Sequence, residues 1–486
     1  MLRTEMKTRL QLLAALASAL MLLCFSWSGL APERAAGQGN PAGAGAAPKY
    51  IFLFLADGAG TSHLEITRQY SQELLGEGMV ITDKIMKEGF VGLMTTHAAN
   101  SLSTDSAAAA TALASGCKAN IGALGVCADG SVPATAMEVA KQRGFKIGLV
   151  TNSTVYDASP AAMVCHVPNR RDYAAIVNRY LELEPDVVMG GGREQFLPQS
   201  KPGSRRKDEI DVAALFVKKG YHQVSNKREL EHVRPGKVLG LFSLDDMSFE
   251  IDRDKVNEPS VYDMTRATIR QLHDNNPGGF FAFIETENTD TASHLSDVAS
   301  VIHDFREFDR AVGLAYEFYQ KYPRETLIIA TSDHETGGLG FTMALKELSG
   351  VTRGSNLAAG TVRDLKKLQS IKISLRRASI SLGRNPTSEN IDQLIHGYFN
   401  GFTLAPEYKE AMLKRQPIFR TIYSDSTANA LGMMIANHTQ VYWQTTSHTN
   451  QPVFVAALGA GAQRFAGYYD NADFGKKLLG ILDTEK

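Results

Sequence analysis

Three widely separated runs of this chain stay apolar from residue to residue and then stop on an acid or an imidazole. They are Ile51 to Asp57, Phe281 to Glu285 with Asp290 and His294 just beyond, and Leu327 to His334. A strand with one wet face alternates apolar and polar residues, so unbroken apolar runs call for strands covered on both sides, as in a parallel sheet between helix layers. Further strand-like runs at Lys146 to Thr151, Asp186 to Met189 and Val453 to Leu458 alternate with helix-period segments such as Val298 to Tyr319. The expected fold is α/β, a mostly parallel central sheet with helices on both faces. In such sheets chemistry gathers outside the carboxyl ends of the strands, so these acids and imidazoles are expected to share one crevice.

A chain of 486 residues, 44% hydrophobic, can bury a large core, and a net charge of -1 gives no reason to expect nucleic acid as a partner. Residues 1–36 read as an export signal, with Arg3, Lys7 and Arg9 ahead of a mostly apolar run from Leu10 to Leu30. The competing reading is an uncleaved anchor, the one way this chain would keep a stable membrane partner. The expected location is the periplasm or the extracellular space. Residues 37–49, rich in Gly, Ala and Pro, read as a flexible linker, and 50–486 as a single catalytic domain. In an oxidising compartment Cys117 and Cys127 are expected to pair, leaving Cys165 as a buried small hydrophobe.

Between about 341 and 440 the pattern turns to polar, Lys/Arg-bearing helical segments and reads as an insertion packed over the sheet. Thr387 and Thr403 are expected caps, with Glu389 and Glu407 in the first turns behind them. The basic stretch from Arg363 to Arg384 reads as a solvated helical face whose Leu365, Leu368, Ile371 and Leu375 point inward.

Asp57 is followed at once by Gly58-Ala59-Gly60, where the chain can turn and let a ligand approach. Asp290 and His294 stand four apart, on one face if the segment is helical, and Glu285 ends the strand before them. Asp333 and His334 are adjacent, ahead of a Gly pair, and His448 precedes another apolar run. Carboxylate with imidazole chelates a borderline metal such as zinc, and this inventory exceeds the needs of one ion. Ser106, after Asp105 and before Ala107 to Ala110, is expected near a helix N-terminus, where the dipole favours an anion, and it is the candidate nucleophile. Arg170 could clamp two phosphoryl oxygens bidentately.

In this order and these settings, Asp57-Gly58, Thr104-Asp105-Ser106-Ala107-Ala108, Ser159-Pro160-Ala161-Ala162 with Arg170, Glu285/Asp290/His294, Asp333-His334 and His448-Thr449 resemble the alkaline phosphatase family. The resemblance runs from about Tyr50 to Gly340 and resumes near Thr445. It implies a phosphomonoesterase acting on small phosphomonoesters through a phosphoseryl intermediate on Ser106 and a zinc-bound hydroxide. It implies two zinc ions, one on Asp290, His294 and His448 and one on Asp57, Asp333 and His334, the latter also meeting Ser106. It implies a third, oxygen-only site for magnesium at Asp57, Ser159 and Glu285, with Arg170 clamping phosphate and Asp105 positioning it. The family's commonest assembly is a homodimer. Thr291 departs from the pattern, because family members place Lys, His or Trp there, and this leaves the third ion's identity open. Asp157 is a neighbour that could steady the site.

The rival readings are a phosphodiesterase or sulfatase on the same scaffold, and an exported phosphate- or metal-binding protein without catalysis. Ser106 followed by three alanines lacks the sulfatase setting. A pure binding protein needs no serine beside two metals.

Overall fold

The computed structural model describes residues 47–342, 344–345, 357–358 and 361–483, so the expected export signal and nearly all of the linker lie outside the described residues. Ten strands form the main sheet: β1 (Tyr50–Ala56), β2 (Phe90–Thr95), β3 (Lys146–Thr154), β4 (Val187–Gly191), β5 (His222–Val224), β6 (Val238–Leu241), β7 (Phe280–Thr286), β8 (Thr326–Thr331), β9 (Val453–Gly459) and β10 (Gly467–Asp470). Their spatial order is β10-β2-β9-β8-β1-β7-β3-β4-β6-β5. All neighbours pair parallel except β9, which runs antiparallel to both β2 and β8.

β1 shows why the apolar runs are unbroken. Ile51, Leu53 and Leu55 point into one core, against the helices Ser106–Ser115, Ala136–Gln142 and Asn471–Leu482. Phe52 and Phe54 point into the other, against Val261–His273 and Val298–Lys321. Successive side chains of a strand alternate faces, so a strand buried on both must be apolar throughout.

The 341–440 segment is bracketed by a short antiparallel pairing of Gly340 with Tyr442 and Phe341 with Val441. Its helices share a third core, in which Leu365, Leu368, Leu375, Ile391, Met412 and Leu431 meet Ile66, Val298 and Ile302 of the sheet-covering helices. Thr387 caps its helix by accepting the Asn390 N–H. Thr403 does not cap: the next helix starts at Pro406, whose fixed φ suits the first helical position, and the Thr403 N–H instead donates to His438. Cys117 and Cys127 form a disulfide with a Cα–Cα distance of 5.7 Å, and Cys165 is free and buried. No helix among the described residues is long and apolar enough to cross a membrane.

Candidate active site

β1, β7 and β8 are adjacent and parallel at the centre of the sheet, so Asp57, Glu285, Asp333 and His334 leave it at one edge. The reversal of β9 brings the start of that strand to the same edge. His448 lies just before it, and His448-Thr449 pairs with Glu335-Thr336 behind His334. The helix Asn288–His294 follows β7 and carries Asp290 and His294 on one face.

Asp290, His294 and His448 form one group of converging metal-type ligands, and Asp57, Asp333 and His334 a second. In the first, His294 Nε2 lies 3.0 Å from Asp290 Oδ2 and 3.2 Å from His448 Nε2. His294 Nδ1 faces the Thr446 carbonyl at 2.6 Å, and His448 Nδ1 faces the Thr104 carbonyl at 2.8 Å. A carbonyl only accepts, so both Nδ1 atoms carry hydrogen and both Nε2 lone pairs point at each other and at the carboxylate. Such a set of acceptors needs a cation, either a proton or a metal. Thr336 Oγ1 donates to Asp290 Oδ1 and orients it.

In the second group, His334 Nε2 lies 3.5 Å from Asp57 Oδ1 and 3.3 Å from Asp333 Oδ2. Those two oxygens and Glu285 Oε1 are buried without a hydrogen-bond partner. Ser159 Oγ donates to Asp57 Oδ2 at 3.2 Å, and Thr151 Oγ1 donates to Glu285 Oε2 at 2.6 Å. Buried polar atoms are ordinarily satisfied, so orphaned carboxylate oxygens within a cluster of imidazoles and hydroxyls fit divalent cations.

Electrostatics follow the same geometry. Burial, then Asp333, Asp290 and Glu285, push the Asp57 carboxyl well above its usual range. Burial lifts Glu285 to about 8 and Asp333 to about 7. Asp290 goes the other way: burial opposes its charge, but His294 and His448 hold it well below. Burial and the neighbouring His448 keep His334 neutral.

Ser106 is the first residue of the helix Ser106–Ser115, and Asp105 is its N-cap, accepting the Ala108 N–H at 3.0 Å. Ser106 Oγ lies 3.3 Å from His334 Nε2, at the positive end of the helix. Arg170 reaches the same cleft between two carboxylates, with Nη1 3.3 Å from Asp105 Oδ2 and Nη2 2.9 Å from Asp157 Oδ1. Burial disfavours its charge, but Asp157 and Asp105 outweigh that and raise its pKa.

Every sequence-selected residue therefore stands at this edge of the sheet, with Arg170, Ser106, Asp290, His294 and His448 lining one cleft of about 960 Å³. Sequence reasoning missed Thr151, Thr336, Glu287 and Tyr423. Glu287 Oε1 accepts the Thr291 hydroxyl at 2.7 Å, so Thr291 serves a carboxylate where family members carry a cation or a ring. Tyr423 stacks on His294, with ring centroids 3.8 Å apart. A hydroxyl on a strand and a tyrosine in a polar loop carry no local signal.

The family model described as alkaline phosphatase matches residues 48–484. Alkaline phosphatase 4 of Bacillus subtilis is 30% identical over 447 residues, 90% of this chain and 89% of that protein. An alkaline phosphatase of Schizosaccharomyces pombe is 28% identical over 90% of this chain and 82% of its own length. The crystal structure of the Thermus thermophilus alkaline phosphatase superposes with a TM-score of 0.80 at 27% identity, covering 93% of this chain and 95% of that one. The match spans the serine-bearing helix and both ligand groups, and the chain belongs to the alkaline phosphatase family, as a phosphoric monoester hydrolase.

Proposed function

We propose that this chain is an exported, metal-dependent phosphomonoesterase that works through a phosphoseryl intermediate on Ser106. The observation that carries the reading is the placement of the Ser106 hydroxyl at a helix N-terminus, 3.3 Å from His334, in a cleft shared with Arg170. Asp290, His294 and His448 would hold one zinc ion, and Asp57, Asp333 and His334 a second, on the strength of their mixed imidazole and carboxylate donors. Asp57, Ser159 and Glu285 offer only oxygen and would suit magnesium. Ions bound there supply positive charge that lowers the pKa of a nearby hydroxyl or water and offsets the charge of the phosphoryl group.

The protein's own groups then divide the work. Arg170, held from behind by Asp105 and Asp157, fixes two phosphoryl oxygens with phosphorus in front of Ser106. Ser106 Oγ bonds to phosphorus as the bond from phosphorus to the ester oxygen breaks, and the proton the serine hydroxyl gives up is matched by the one the departing oxygen takes up to leave as the free alcohol. Water then attacks the phosphoserine, the Ser106 oxygen is restored, and inorganic phosphate departs. Unaided phosphate monoesters are among the slowest of hydrolyses, so charge stabilisation must supply most of the acceleration.

The test is to mix protein with a chromogenic phosphomonoester, quench in acid and map the phosphorylated peptide by mass spectrometry. Phosphate on Ser106, with Ser106→Ala falling by more than about a thousandfold in kcat, is the expected result. Full activity in Ser106→Ala would sink the covalent route. Sequencing the N-terminus of secreted protein tests export.

A further inference from the structure

The cleft is far larger than one phosphoryl group, and several of its lining side chains are large, apolar and in contact with water. Ile422 is 86% exposed, Ile380 73%, Ile121 45% and Tyr423 40%. Free surface chains of this kind are unremarkable when scattered, but these share one concavity with the candidate nucleophile. Two of the segments that carry them are tied together. Ser379, next to Ile380, donates to Asp425, two residues beyond Tyr423, at 3.0 Å. Tyr423 is itself held by a ring stack, at 3.8 Å and 25° to His294, and lies nearly parallel to His448 at 10°. A ring fixed in this way loses little freedom when a second flat group packs on its open side.

We propose that Tyr423, with Ile422 and Ile380, forms an apolar wall that receives the alcohol part of the substrate, favouring aryl and other bulky apolar phosphate monoesters. The proposal rests on the phosphomonoesterase reading and deepens it by assigning the leaving-group side of the cleft to the 341–440 insertion. It names specificity residues: Tyr423 would touch the leaving group, and Ser106 and Arg170 would act as before.

The experiment uses the metal-loaded full-length enzyme and compares kcat/KM for 1-naphthyl phosphate and glycerol 2-phosphate in the native protein, Tyr423→Ala, Tyr423→Phe and Ile380→Ser. Each ester is compared with itself across variants, so intrinsic reactivity cancels. Tyr423→Ala is expected to lose about tenfold on the naphthyl ester, mainly through KM, and less than about twofold on the glycerol ester, the scale of an aromatic contact with its buried area. Tyr423→Phe should behave as native, and Ile380→Ser should shift the same ratio in the same direction. Equal losses on both esters would overturn the proposal by showing that Tyr423 merely supports His294, and unchanged rates on both would overturn it too. Failure of the native enzyme to hydrolyse either ester would instead overturn the underlying phosphomonoesterase reading.

Discussion

The Nε2 atoms of His294 and His448 stand 3.2 Å apart, although each ring has already committed its Nδ1 hydrogen to a backbone carbonyl. Neither nitrogen can donate to the other while both rings are neutral. The closeness is therefore a preformed demand for a cation, set by carbonyls from two distant loops, those of Thr446 and Thr104.

Metal removal should cost stability as well as activity. An ion present at a hundred times its dissociation constant stabilises the folded state by about 2.7 kcal/mol. For a chain of this size that is a shift of roughly 3 °C in Tm. Differential scanning calorimetry with and without chelator, then with zinc restored, measures it; a chelated protein with unchanged Tm would contradict the metal assignment.

The metal-stripped protein should become less stable as pH rises. Glu285 at about 8 and Asp333 at about 7 bind protons more tightly when folded than as free carboxyls near 4. From about pH 4.5 to 8 these two groups hold more protons in the folded state, and their contribution to the unfolding free energy falls as pH rises. A metal-loaded sample should show a flatter profile, because an ion replaces those protons. Urea midpoints between pH 5 and 8 for both forms provide the comparison.

Gly58→Ala should disable the site from behind. Gly58 has φ +69°, and a Cβ there would come 2.4 Å from Asp290 Oδ1 and 2.8 Å from its Cα. Left-handed backbone costs an alanine about 1 kcal/mol, and the overlap must also displace a candidate ligand. The expected variant folds with a lowered Tm and binds fewer than the native number of zinc ions by elemental analysis.

Glu138→Gln should separate folding from chemistry. Burial works against the Glu138 charge, but His166 at 2.8 Å, the Thr135 N–H and Arg179 at 2.7 Å hold its carboxyl down to about 2. A depressed carboxyl stabilises above its unfolded value near 4.5 and loses that contribution as pH falls toward 2. The variant should be about 2 kcal/mol less stable at pH 7, with the gap closing below pH 4 and kcat unchanged.

The elements that could be read in advance are the ones with a single physical cause. β1, β7 and β8 announce themselves because burial on both faces leaves no room for polar residues, and their terminal acids stand out against that background. Asp290 and His294 were legible from helical spacing. β2 was not, since Phe90, Val91 and Leu93 are exposed beside the short edge strand β10 and the run lacks a buried pattern. Thr403 misled because a Thr-x-x-x-Glu pattern signals a cap only when nothing stronger sets the start, and Pro406 does. Tyr423 reaches the site by tertiary packing alone, and no local pattern reports that.

The reversal of β9 also sets a timetable. His448 reaches the site only because the strand behind it inserts between β2 and β8, and β9 is among the last strands to leave the ribosome. A nascent chain has Asp290 and His294 but not their partner, so the first ligand group stays incomplete until His448 and β9 have been delivered. Completion of the sheet and completion of the Asp290, His294 and His448 group become one late event, whereas Asp57, Asp333 and His334 are all present in the chain made before it.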